Sequence, residues 1–195
     1  MKNAKKALLL ALCAILLVVA SVAGTLAYLT AEDSVKNTFE VGKVTITLAE
    51  TKVNEYGEST NEGTTDVGNK YKLIPGRTYT KDPTITVGAD SENCWLFVKI
   101  ENGLGTNATI NGLGENGWTQ IGTSDYWKYA GAVVGANATV KVFDSFTYAS
   151  SVADTTADAA KEIVVTAYAI QSDSCPTSDD AWDKLSTQLG LSVSD

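Results

Sequence analysis

The chemistry open to this chain is narrowed first by a missing residue type: it contains no histidine. That removes the commonest general base, the commonest metal ligand and every histidine-containing triad. It also rules out a His-Glu-x-x-His zinc site. No Gly-x-Ser-x-Gly elbow, phosphate loop or EF-hand calcium loop is present. Carboxylates are plentiful, 23 Asp and Glu, and two of them flanking a sugar could in principle cleave a glycosidic bond. No spacing singles out such a pair. Glu32-Asp33 and Asp179-Asp180 read as solvated surface or helix-start residues. The sequence therefore points to no enzyme, no metal site and no cofactor.

Two thiols and a group of aromatic rings are the other candidates. Beyond Cys13, which lies in the N-terminal apolar run, the only cysteines are Cys94 and Cys175. In an oxidising compartment they would form one disulfide; the competing reading is two separate buried thiols. Trp118, Tyr126, Trp127 and Tyr129 lie close in sequence and could form a sugar-stacking platform. Core and edge packing is the competing and stronger reading.

The elements that must position these groups are nearly all strands. Val44, Ile46 and Leu48 alternate with Lys43, Thr45 and Thr47, a half-buried strand. Thr84–Val87 repeats the pattern. Cys94–Ile100 is apolar on both faces up to Lys99 and reads as a central strand. Ala138–Phe143 alternates and continues through Phe146 and Tyr148, and Ile163–Ile170 is a further strand. Weaker strands are expected near Trp118–Ile121 and Asp125–Tyr129. Turn signals such as Pro75-Gly76, Asp82-Pro83 and Asn111-Gly112 separate them. Many short strands with glycine-rich turns predict an all-β sandwich. The polar stretch Asn54–Asn69 reads as a long exposed loop or a protruding hairpin. Ser178–Leu189 predicts a helix with a cap residue and two early acids; Trp182, Leu185 and Leu189 share one face and Gly190 stops it. That helix is expected to plug one end of the sandwich. A short helical turn is expected within Ala153–Lys161.

The N-terminus has a different character. Lys2, Lys5 and Lys6 precede an apolar run from Ala7 to Ala20, and Thr25-Leu26-Ala27 places small residues three and one positions before a cut. Met1–Ala27 therefore reads as a secretion signal cleaved between Ala27 and Tyr28, with Ala23 an alternative site and an uncleaved anchor the competing reading. All of these readings put the remainder outside the cytoplasm. Cleavage after Ala27 leaves Tyr28–Asp195, 168 residues, as one ordinary domain. Losing the three lysines leaves 12 basic against 23 acidic groups, a formal −11. Such a charge argues against nucleic acid as a partner, because phosphates would be repelled.

The junction carries a resemblance. Gly24, Thr25, Ala27 and Tyr28, followed by Asn37, Phe39, Gly42, Val44 and Ile46, resemble the pattern of the TasA/camelysin family of Gram-positive surface proteins. Leu73-Ile-Pro-Gly76 with Lys81-Asp-Pro83, Trp118, the Tyr126–Tyr129 cluster, Phe143, Ala167–Gln171 and Ala181-Trp182 extend it over most of the mature chain. The resemblance implies a jelly-roll sandwich, export through a signal peptidase of the SipW type, and a structural role as a subunit of an extracellular biofilm fibre. It also implies assembly by strand addition, in which backbone hydrogen bonds give affinity and alternate side chains give register. The donor would be 28–40, anchored by Tyr28, Leu29, Val35 and Phe39. Head-to-tail addition of this kind does not close, so it makes filaments. The partners implied are a second copy of the chain and a fibre-anchoring surface protein. Camelysin is classed as a metallopeptidase, but no residue here carries that activity over. A surface carbohydrate-binding or adhesion module using the Trp118–Tyr129 aromatics is the alternative function, with a camelysin-like surface protease ranked after it.

Overall fold

The computed structural model describes residues 43–191 apart from 131 and 159. Among these the chain forms eleven strands: β1 (Ile46–Val53), β2 (Ser59–Thr65), β3 (Thr78–Thr80), β4 (Thr84–Val87), β5 (Cys94–Asn102), β6 (Ala108–Asn111), β7 (Trp118–Gln120), β8 (Tyr126–Tyr129), β9 (Thr139–Lys141), β10 (Ser145–Tyr148) and β11 (Ile163–Gln171). One α-helix, α1 (Ser178–Gln188), follows, and short 3-10 turns occur at Gly105–Asn107, Thr156–Asp158 and Ser172–Ser174. The strands make three antiparallel sheets, in the orders β2-β1-β4-β9, β3-β10-β6 and β11-β5-β8-β7. The fold is all-β. None of the helices among the described residues is long and apolar enough to cross a membrane.

β5 organises the interior because its sequence is apolar on both faces. Side chains alternate across a strand, so Cys94, Leu96, Val98 and Ile100 point one way and Trp95 and Phe97 the other. The first set meets Ile85 and Val87 of β4 and Val140 of β9 in the largest core cluster. Two sheets thus share one core across their facing sides. The second set meets Cys175, Ala181 and Leu185. Helix α1 therefore lies on the outer face of the β5 sheet, and it does not plug an end as the sequence suggested. Its hydrophobic stripe also differs: Ala181, Leu185 and Ser186 are buried, while Leu189 is exposed. Small residues at 181 and 186 let the helix backbone approach the sheet, which rotates Leu189 outward. The helix starts with a capping box one residue earlier than Ser178. Thr177 Oγ1 accepts from the Asp180 backbone N–H at 3.1 Å, and the Asp180 carboxylate accepts from the Thr177 N–H at 3.0 Å. Gly190 ends it at φ +67°, a left-handed conformation that favours glycine.

The third sheet has its own core of stacked and edge-on rings. Tyr79 and Phe146 stack at 5.0 Å, and Tyr71 meets Phe146 edge-on at 5.2 Å. The continuous strand expected from Ala138 to Tyr148 is two strands in different sheets. Val142 and Phe143 are both fully buried, so the alternation breaks where the chain crosses from β9 to β10. The polar stretch after Asn54 is the protruding hairpin: β2 pairs with β1 through Glu50–Thr65 and Thr51–Thr64. The short helical turn expected near Ala153–Lys161 is the 3-10 turn Thr156–Asp158.

Candidate functional site

β1 is offset between its two neighbours, and the offset opens a cleft. Ile46–Ala49 pairs with β4, whereas Glu50, Thr51 and Val53 pair with β2. The edge of Ile46–Ala49 turned away from β4 consequently has no strand partner among the described residues. β11 is the border strand of its sheet; it pairs with β5 over nine residues and with no other strand among those described. Between these two edges lies a cavity of about 600 Å³. Leu48 and Ala49 form one wall and Ile163, Val164 and Val165 the other. Ile163 and Val165 turn inward onto the core, while Val164 is 41% exposed. A strand edge offers a row of free N–H and C=O groups. The cleft thus presents free backbone groups beside apolar side chains, and β1 and β11 approach to within 8 Å between Cα atoms, so a strand added there would pair with one edge or part the two.

One rim of the cleft is polar and densely hydrogen-bonded. Glu50 continues the inward stripe of Ile46 and Leu48 and is buried. Lys81 Nζ donates to Glu50 Oε2 at 2.8 Å, and both side chains are nearly covered. Oε1 of Glu50 accepts from the backbone N–H and from Nδ2 of Asn69, each at 2.9 Å. Asn69 Nδ2 also donates to the Thr51 carbonyl at 2.8 Å, and its Oδ1 accepts from the Val53 N–H at 3.0 Å. The register of β1 and β2 slips between Thr51 and Val53, and the Asn69 amide occupies the ladder groups that the bulge sets free. Burial, with the nearby Glu50 charge second, pushes the Tyr71 phenol well above its ordinary value; its hydroxyl donates to the Thr80 carbonyl at 2.9 Å.

The opposite rim holds Asp158, 2% exposed. Its carboxylate pairs with Lys161 at 2.8 Å and accepts from the Tyr148 hydroxyl and from Asn107 Nδ2, both at 2.7 Å. The Lys161 contact, then Tyr148 and Asn107, hold its carboxyl down at about 2. Tyr148 is pushed up to about 12, first by burial and then by Asp158, so it remains a hydrogen-bond donor to the carboxylate. Among the described residues no group of three His, Cys, Asp or Glu is placed to hold a metal ion.

Each residue singled out in the sequence can now be placed. Ala27, Tyr28, Leu29, Val35 and Phe39, with the whole signal and donor segment 1–40, lie outside the described residues. Cys94 and Cys175 are both described, and the bridge considered between them is not formed: both are free and buried. The reason is strand alternation. Cys94 faces the core between the sheets, with Sγ 3.6 Å from the Val134 carbonyl. Cys175 belongs to the cluster under α1, where its carbonyl accepts from Trp95 Nε1 at 2.9 Å. The two thiols therefore serve opposite faces of one sheet.

The aromatic group does not make an exposed platform either. Tyr126 points toward Trp182, 5.2 Å away, whereas Trp127 and Tyr129 turn to the core between the sheets. Trp118 is 2% exposed, packs on Tyr129 at 5.4 Å and donates from Nε1 to the Lys141 carbonyl at 2.9 Å. The cleft itself was missed by sequence reasoning. Its one visible signal was Glu50, a charge in phase with the apolar stripe of β1.

No family model, curated protein or solved structure matches this chain. The TasA/camelysin resemblance accordingly rests on its sequence motifs.

Proposed function

We propose that this chain is a secreted structural subunit of an extracellular biofilm-matrix fibre. Its architecture is read as a jelly-roll-type sandwich. A signal peptidase of the SipW type cuts between Ala27 and Tyr28, and the freed segment 28–40 adds as a strand to a second copy. The observation that carries this reading is the cleft between two strand edges, Ile46–Ala49 and β11, that have no further strand partner among the described residues, with apolar side chains such as Leu48, Ile163 and Val165 in its lining. Strand addition needs these features: free backbone groups along an edge and pockets for alternate side chains. In the donor, Tyr28, Leu29, Val35 and Phe39 are the side chains offered to that lining. The acidic surface fits the same role, because net charge keeps subunits apart until a specific edge is offered.

The reading is tested with a synthetic peptide of sequence 28–40 added to protein beginning at Val41. Binding that saturates, and that protects β11 amides from hydrogen exchange, is expected. A peptide that binds nowhere, or that protects a different strand, contradicts the assignment of the cleft.

A further inference from the structure

Glu50, Lys81 and Asn69 form a cluster whose chemistry goes beyond packing. One buried carboxylate holds an amine on one oxygen and a carboxamide on the other: Lys81 Nζ at 2.8 Å on Oε2 and Asn69 Nδ2 at 2.9 Å on Oε1. Amine and amide are the two halves of an amide-exchange reaction, and the acid between them can pass protons from one nitrogen to the other. Confinement on a single carboxylate replaces a bimolecular encounter with a local one. The amide is also oriented. Its Oδ1 accepts from the Val53 N–H and its Nδ2 is tied to the Thr51 carbonyl. The Val53 N–H therefore points at the oxygen on which negative charge would develop.

We propose that Lys81 and Asn69 join in an intramolecular isopeptide bond, with Glu50 as the proton carrier. Glu50 takes a proton from the Lys81 ammonium, which cancels two opposite charges in a poorly hydrated pair. The neutral Nζ attacks Cγ of Asn69, and the resulting oxyanion at Oδ1 rests on the Val53 N–H. Glu50 first gives the proton it holds to Nδ2 and then takes the one that Nζ sheds. The Cγ–Nδ2 bond breaks, and the leaving ammonia takes that second proton from Glu50 and departs as ammonium. Lysine ammonium plus carboxamide thus becomes a secondary amide plus ammonium, Glu50 ends as the carboxylate it began as, and no oxidant or reductant is involved. The cavity lined by all three residues gives the leaving ammonia a way out. The bond would close the loop between Asn69 and Lys81. That loop carries Tyr71 and Tyr79 of the third core, and the bond would pin the exposed β1–β2 hairpin beside it.

Tryptic peptide mapping of the folded full chain by tandem mass spectrometry tests this directly. The expected product is a branched species joining peptide 53–70, which carries Asn69, to peptide 78–99, which carries an uncleaved Lys81. It is lighter than its two parts by one ammonia. Lys81→Arg keeps a cation against Glu50 but removes the attacking amine, and Glu50→Gln removes the proton carrier. Both variants should yield the separate peptides at their sequence masses. Recovery of separate peptides from the unaltered chain, after the folded protein has stood at neutral pH, overturns the proposal. So does an ammonia loss confined to peptide 53–70, which marks cyclisation of Asn69 on its own backbone. A crosslink that persists in Glu50→Gln removes Glu50 from the mechanism.

Discussion

Asp158 is a buried carboxylate whose ionisation is tied to the fold. Lys161, Tyr148 and Asn107 converge on it and hold its carboxyl at about 2 against an ordinary 3.8. A group depressed in the folded state stabilises that state above its unfolded value, and the stabilisation is lost as pH falls through the folded value. Thermal midpoints should therefore fall as pH drops from about 4 toward about 2. Asp158→Asn should flatten that decline and lower the midpoint at neutral pH, since it leaves Lys161 unpaired. A decline of the same steepness in the variant would place the acid sensitivity elsewhere. The thiols supply a second check at this scale. Burial raises the Cys94 thiol, and both sulfurs are covered. Neither should react with a thiol reagent until the protein unfolds, after which both should. Denatured, unreduced protein that shows no free thiol would contradict the placement of Cys94 and Cys175 on opposite sides of β5.

Elements differ in how much of them the sequence discloses. β5 is legible because Cys94–Ile100 must be covered on both faces, and only a strand with sheet neighbours and layers above and below achieves that. β4 and β11 are legible for related reasons. β3 and β6 span three and four residues, too short for alternation to register. β2, Ser-Thr-Asn-Glu-Gly-Thr-Thr, has almost no buried side chain, so only its pairing with β1 makes it a strand. The cleft arises from offset pairing, and hydrophobic pattern carries no information about offset. Helix α1 is legible from its early acids and its stop, while its cap lies one residue earlier, at Thr177, and its buried stripe is hidden because Ala181 and Ser186 are small residues buried by packing. Thr177→Ala removes one half of the capping box and should cost about 1 kcal/mol by chemical denaturation. An unchanged midpoint would mean that the cap contributes nothing. Val164→Lys puts a charge on the β11 edge at an already exposed position. Lysine is a common guard of free edges, so the variant should keep the wild-type circular dichroism spectrum and form far fewer filaments. Undiminished filament formation would move the acceptor away from β11.

For the whole molecule, the proposed function gives the domain and the segment ahead of it complementary roles. The domain offers a cleft of mixed polar and apolar lining between two strand edges left open among the described residues. The sequence ahead of Val41 would supply the signal, the cut and a short stretch with spaced apolar anchors. On the function proposed above, these would make a subunit kept from polymerising until it is exported and cut. The isopeptide bond proposed between Lys81 and Asn69 is independent of that assembly and would brace the cleft's polar rim whether or not fibres form. The central claim is tested most directly by negative-stain electron microscopy of purified protein with an authentic N-terminus at Tyr28, beside the same protein beginning at Val41. Filaments from the first and none from the second are the predicted result. Monomers from both across the salt and pH conditions tried, or filaments of equal number from both, would contradict it.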